Sequence, residues 1–152
     1  MSKTDDALNT FNYGVYVVSG KRGGETNGLT CAWVMRASME PPLVAVAVGK
    51  TRYTHDFIKD GGAFAVSVLA EGQQEIGRYF GTVSGRDEQK FARYPGESRS
   101  TGAPILPDCA AWADCRLVHS YDAGDHTIFV GQVVEAGVSA RPALVFREHD
   151  YF

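Results

Sequence analysis

Short runs of β-branched and aromatic residues, each cut off by glycine or proline, restrict this chain to strands and tight turns. Residues 13–19 (YGVYVVS) end at Gly20, and residues 27–34 (NGLTCAWV) return after a turn over 21–25. Residues 43–48 (LVAVAV) form a continuous apolar run, the pattern of a strand buried on both faces. Pro41 and Pro42 just before it exclude a helix there. Residues 63–69 alternate, with Phe64, Val66 and Val68 on one face. Further strands are expected over 113–121, 127–136 and 143–146, with residues 122–125 (DAGD) as a hairpin turn. Helix signals are few. One spans 51–60, capped by Thr51 or Thr54 and ended by Gly61-Gly62; another spans 73–80. Residues 81–108 read as a polar excursion, a length that a compact domain keeps for function. Seven or so strands with two small helices predict a mainly β antiparallel barrel or sandwich, not a doubly wound parallel sheet.

The whole chain, residues 1–152, is expected to form a single domain. Its net charge of -3 gives no basic footprint for a polyanion, so no nucleic-acid partner is expected. No apolar run approaches the roughly 18 residues of a membrane span, so none is expected there either. The polar, acidic residues 1–9 lack the layout of a signal peptide, and a cytoplasmic location is expected. Cys31, Cys109 and Cys115 make an odd set without a C-x-x-C pair, which fits reduced thiols in a reducing compartment.

The stretch 44–56 (VAVAVGKTRYTHD) runs from a strand through Gly49-Lys50-Thr51 into a helix, like the tail of a P-loop. The first glycine of that loop would sit at position 44, which is valine, so an NTPase is rejected. The helix start still offers unpaired amides and a positive dipole end. Lys50, Arg52, Thr51 and Thr54 add cations and hydroxyls suited to one phosphate; a solvated turn with a threonine cap is the alternative. His126 lies in Gly124-Asp125-His126-Thr127 at the hairpin edge, and His55, His119 and His149 share no metal-like spacing with it. Arg86, Asp87, Lys90 and Phe91 cluster in the excursion, either solvated or reaching over a ligand. Trp33 and Trp112 read as core or interface residues. No G-x-S-x-G and no G-x-G-x-x-G after a strand is present.

Several of these pieces, taken in order, resemble the flavin reductase-like family. They are Asn27-Gly28-Leu29-Thr30-Cys31-Ala32-Trp33, Pro41-Pro42-Leu43-Val44, Gly49-Lys50-Thr51-Arg52-Tyr53-Thr54, and Gly62 through Leu69. Ser84-Gly85-Arg86-Asp87 with Lys90-Phe91, the run Gly124 through Gly131, and Ala143-Leu144-Val145-Phe146 with Tyr151 continue the likeness over nearly the whole chain.

The resemblance implies a Greek-key split β-barrel with short peripheral helices, a homodimer, and one FMN per subunit (FAD in some members). It implies that Asn27, Gly28, Leu29, Thr30, Cys31 and Ala32 lie along the flavin ring, with backbone amides and Thr30 bonding its polar edge. Lys50 and Thr54 would hold the phosphate, and Arg86 and Lys90 would add flavin contacts. His126 would sit where the nicotinamide docks. Arg52 stands where the family more often has a small polar residue, and Cys31 where alanine or serine is frequent; a thiol there would tune the flavin, meet a ferric chelate or be a bystander. The implied activity is electron transfer from NAD(P)H through FMN to free flavin or a ferric chelate. The alternative is a flavoredoxin-like carrier between redox protein partners. No rubredoxin-like cysteine pairs are present, so a fused acceptor is not expected.

Overall fold

The computed structural model describes residues 2–147 and Tyr151. The chain opens with a short exposed helix, α1 (Lys3–Leu8), capped by Ser2, whose Oγ accepts from the Asp5 amide at 3.1 Å. The order then runs β1 (Tyr16–Arg22), β2 (Glu25–Cys31), β3 (Val34–Ser38), β4 (Leu43–Gly49), α2 (Tyr53–Gly61), β5 (Ala63–Val68) and α3 (Gln74–Thr82). It continues through α4 (Lys90–Arg93), two-residue strands β6 (Glu97–Ser98) and β7 (Pro104–Ile105), and a long hairpin of β8 (Ala111–Ala123) and β9 (His126–Val138).

Seven strands make one antiparallel sheet in the order β2-β1-β5-β8-β9-β4-β3, and β6 pairs with β7 alone. β1 pairs with β5 and β4 with β9, so sequence neighbours are separated by returning strands, as in a Greek key. The expected mainly β class with short helices is the class observed. The sheet curls: Val18 and Leu29 from one end share a buried cluster with Val46, Val48, Phe64 and Phe129. Phe64 and Phe129 are fully buried, each worth roughly 1.5–3 kcal/mol of transfer free energy. Helix α3 closes the outer side of β1, where Val15, Val17, Leu69, Phe80, Leu106 and Tyr151 form a second cluster.

Four details depart from the expectations. The strand expected over 27–34 divides, because the chain turns at Ala32-Trp33, with the Val34 amide bonding Ala32 O at 3.1 Å. Beyond the turn comes β3, an exposed edge strand with no apolar alternation to reveal it. Neither Thr51 nor Thr54 caps α2: the cap position is Arg52, without a side-chain bond, while Gly62 ends the helix in the left-handed region (φ 69°) as expected. Residues 81–108 fold back over β5, and Ala103 and Ile105 bury against Ala65 there. Ser67 Oγ accepts from Leu106 N at 3.0 Å, so β5 is buried on both faces. Residues 143–146 form only isolated bridges, Ala143 to Ala70 and Val145 to Gly14.

Candidate functional site

Two connected cavities open where β4 hands over to α2. The larger, about 910 Å³, is walled by Leu29, Cys31 and Ala32 of β2 and its turn, by Trp33, by Ala47 and Gly49 of β4, and by His126 of β9. The smaller, about 250 Å³, is walled by Asn27, Thr51, Arg52, Thr54, the 84–86 turn and Lys90. Leu29, Thr51 and Arg52 border both, so the two form one crevice. Among the described residues β2 is an edge strand that pairs with β1 alone, and it runs along the crevice.

Among the described residues the smaller compartment is lined by three cations, Arg52, Arg86 and Lys90, and by no carboxylate. Arg52 folds over Gly49, where an added Cβ would lie 3.1 Å from Arg52 Cγ, and its Nη2 reaches Gly81 O at 3.5 Å. Arg86 donates from Nη2 to Thr51 O at 3.3 Å and lies 4.9 Å over the Tyr53 ring. Lys90 and Phe91, read from the sequence as either solvated or reaching over a ligand, turn inward on α4. Lys90 is 2% exposed and donates to Gly28 O at 2.8 Å and Phe80 O at 3.0 Å. Burial, helped by the neighbouring Arg52 charge, lowers its pKa to about 8. Phe91 explains Gly28: a Cβ there would sit 3.1 Å from Phe91 Cζ. Asn27 Nδ2 donates to Thr54 Oγ1 at 2.8 Å, while its buried Oδ1 has no partner among the described residues. An orphaned buried acceptor is costly, and a ligand hydroxyl would satisfy it.

Two expected pairings are rearranged. Lys50 and Thr54, implied together at one phosphate, line different compartments of the crevice. Thr54 lines the smaller compartment; Lys50 lines the larger, its ammonium paired with Asp122 and its amide bonded to Asp125 O at 2.9 Å. Thr30 does not aim its hydroxyl proton at a ligand's edge, because it donates to Gly77 O of α3 at 2.5 Å. Cys31 is buried in the cavity floor, and burial pushes its thiol up to about 12 against the opposing Arg52 and Lys90 charges, so it is a neutral thiol.

His126 and Trp33 form the far wall, ring centroids 4.7 Å apart. The turn lets Asp125 and His126 meet despite their adjacency, Nδ1 to Oδ1 at 2.6 Å, which holds the Asp125 carboxyl below its ordinary pKa. Trp33 is 51% exposed, not a core residue, whereas Trp112 packs against Ala65 and Ile105. His55, which no spacing in the sequence singles out, is buried, with Nε2 2.7 Å from Thr127 Oγ1 and Nδ1 2.9 Å from Asp56 Oδ1, and so ties α2 to β9. His149 lies outside the described residues. Among the described residues no cluster of three or more His, Cys, Asp or Glu is placed to hold a metal, and no helix is long and apolar enough to cross a membrane.

The profile of the Flavin reductase like domain matches residues 8–152. The chain belongs to the flavin reductase-like family. It is 35% identical over 147 residues to the 4-hydroxyphenylacetate 3-monooxygenase reductase component of Thermus thermophilus, covering 96% of this chain and 91% of that protein. It is 38% identical over 134 residues to the high molecular weight rubredoxin of Moorella thermoacetica, 87% of this chain but 58% of that one. The chain therefore spans little more than half of that relative, and 24% of a diflavin flavoprotein of Thermosynechococcus vestitus. Among solved structures, the NADH:FAD oxidoreductase of Streptomyces globisporus C-1027 superposes with a TM-score of 0.86 at 31% identity, covering 96% of this chain and 91% of that one. An FMN-binding protein of Thermus thermophilus gives 0.85 at 26% identity, covering 92% and 84%.

Proposed function

We propose that this crevice binds FMN and serves electron transfer from NAD(P)H to free flavin or a ferric chelate. The observation that carries the reading is the pairing of a small compartment, whose charged lining among the described residues is Arg52, Arg86 and Lys90, with an adjoining larger one walled in part by Trp33 and His126. That shape and charge match a molecule with one phosphate at one end and a planar ring system at the other. Arg52, Arg86 and Lys90 hold the phosphate, with Thr51 beside them; Asn27 Oδ1 accepts from a ribityl hydroxyl. Leu29, Cys31 and Ala32 floor the ring compartment, and Gly28 is the small residue that lets Phe91 brace the strand from behind. Trp33 and His126 face the ring across a cavity that lies near the upper end of the usual range of roughly 300–1,000 Å³ for small-molecule sites. That leaves room for a nicotinamide or an acceptor. When bound, FMN supplies the electron chemistry, and the protein positions it and sets its electrostatics.

A second reading, an FMN carrier that exchanges electrons with protein partners, is supported by the relatives named as a rubredoxin and as diflavin flavoproteins. Titrating the apo-protein with FMN and riboflavin, following flavin fluorescence, tests the site: FMN binds at least tenfold tighter, and equal affinities refute the phosphate compartment. Stopped-flow bleaching of the bound flavin by NADH and NADPH then separates enzyme from carrier, because a carrier is not reduced by either nucleotide at a useful rate.

A further inference from the structure

The relatives include an FMN-binding protein and an NADH:FAD oxidoreductase, so the fold alone does not choose between a mononucleotide and a dinucleotide. The outer wall of the smaller compartment carries the choice. Arg86 crosses from the turn after α3 to the start of α2, where Nη2 bonds Thr51 O at 3.3 Å. Its guanidinium lies 4.9 Å over Tyr53. Both supports are braced. Tyr53 meets Phe57 edge to face at 5.0 Å and donates to Glu25 Oε2 at 2.9 Å. Ser84 holds the other end, its Oγ accepting from Arg86 N at 3.1 Å and its carbonyl from Asp87 N at 3.0 Å. Arg86 lines the compartment of about 250 Å³ together with the buried Lys90, and the Tyr53 ring under its guanidinium is hydrogen-bonded to the Glu25 carboxylate. A second phosphate continuing outward would have to displace the strap and approach that carboxylate.

Resting on the flavin reading above, we infer that Arg86 is a specificity-determining strap: it admits a flavin that ends in one phosphate and excludes one that continues into a dinucleotide. Its cation serves the phosphate, and its span from the 84–86 turn to Thr51 and Tyr53 at the start of α2 limits what can continue past it. Lysine can replace the charge but not the span.

The test is equilibrium titration of wild-type apo-protein, Arg86→Ala and Arg86→Lys with riboflavin, FMN and FAD, each variant first checked by circular dichroism. Wild type is expected to bind FMN at least about tenfold tighter than FAD. In Arg86→Ala, FMN weakens by about tenfold, the usual cost of one charge-assisted bond, while FAD holds or tightens. Arg86→Lys keeps most of the FMN affinity and gains FAD. Equal binding of FMN and FAD by wild type, or an equal loss of both in Arg86→Ala, overturns the strap and leaves the flavin site standing. Folded wild type that binds none of the three flavins, riboflavin included, overturns the site itself and the strap with it.

Discussion

Lys90 makes phosphate binding depend on pH in a direction that can be worked out beforehand. Its ammonium is 2% exposed, fixed between Gly28 O and Phe80 O, and its pKa is lowered from 10.5 to about 8 by burial and the Arg52 charge. A dianionic phosphate arriving in the same compartment favours the charged form and drives the pKa back toward its ordinary value. Below pH 8 the lysine is already protonated and binding needs no proton. Above pH 8 the free protein loses the proton, the complex keeps it, and affinity falls as pH rises. At pH 9.5 the free site lies about 1.5 pH units past its midpoint, an opposing cost of about 2 kcal/mol, or roughly a twentyfold to thirtyfold weaker Kd than at pH 7. The phosphate of FMN, with a second pKa of about 6, stays dianionic throughout. Fluorescence titration of FMN and riboflavin between pH 7 and 9.5 measures the effect, and calorimetry in buffers of different ionisation enthalpy counts the proton taken up. Riboflavin, which lacks the phosphate, should show a much smaller slope. Lys90→Met should flatten the FMN curve while weakening binding at pH 7. An FMN Kd unchanged between pH 7 and 9.5, or a riboflavin curve parallel to it, refutes the assignment of Lys90 to the phosphate compartment.

Three further expectations follow from other parts of the crevice and core. His126→Ala leaves FMN affinity nearly intact but slows reduction by NAD(P)H, or raises its KM, by roughly tenfold, the cost of one hydrogen bond to a second ligand, read by stopped flow at matched flavin occupancy; an unchanged rate and KM would return His126 to the scaffold. Gly131→Ala places a Cβ 2.7 Å from Cys115 Cβ and from two carbons of the buried Phe64 ring, so overpacking of about 1–3 kcal/mol should lower Tm by roughly 3–10 °C in a thermal melt. Exposed Trp33, Met35 and Met39 beside the unpaired edge of β3 are proposed to cover one another in a homodimer, which light scattering at micromolar concentration would register as about twice 16.5 kDa.

The strand framework was legible because its signals are local. Alternation, β-branched runs and glycine at turns located β1, β4, β5, β8 and β9, and Gly62 marked the end of α2. What escaped had no local signal. β3 is an exposed edge strand whose side chains mostly face solvent, so no apolar period marks it. The 81–108 excursion is polar in composition yet contributes Ala103, Ile105 and Leu106 to the interior, because β5 needs its second face covered and nothing nearer in sequence supplies it.

The site divides in the same way, and the division explains which residue roles shifted. The sequence showed the cations around the β4–α2 turn, the β2 segment and the histidine at the hairpin edge, and all of these border the crevice except Gly28, which backs onto Phe91. It did not show which polar atoms were already committed. Thr30 gives its proton to Gly77, 47 residues away; Lys50 is held by Asp122, 72 away; Lys90 is anchored to Gly28, 62 away. Helix and strand periodicities relate residues two to four apart, so they cannot report such commitments. A donor spent on a carbonyl is withdrawn from a ligand, and a cation paired with a carboxylate loses much of its pull on a phosphate. Lys50, neutralised at the rim of the large cavity, is thereby the weaker phosphate candidate. Arg52, Arg86 and Lys90 share a compartment that no carboxylate lines among the described residues, and that charge is what a phosphate would complete.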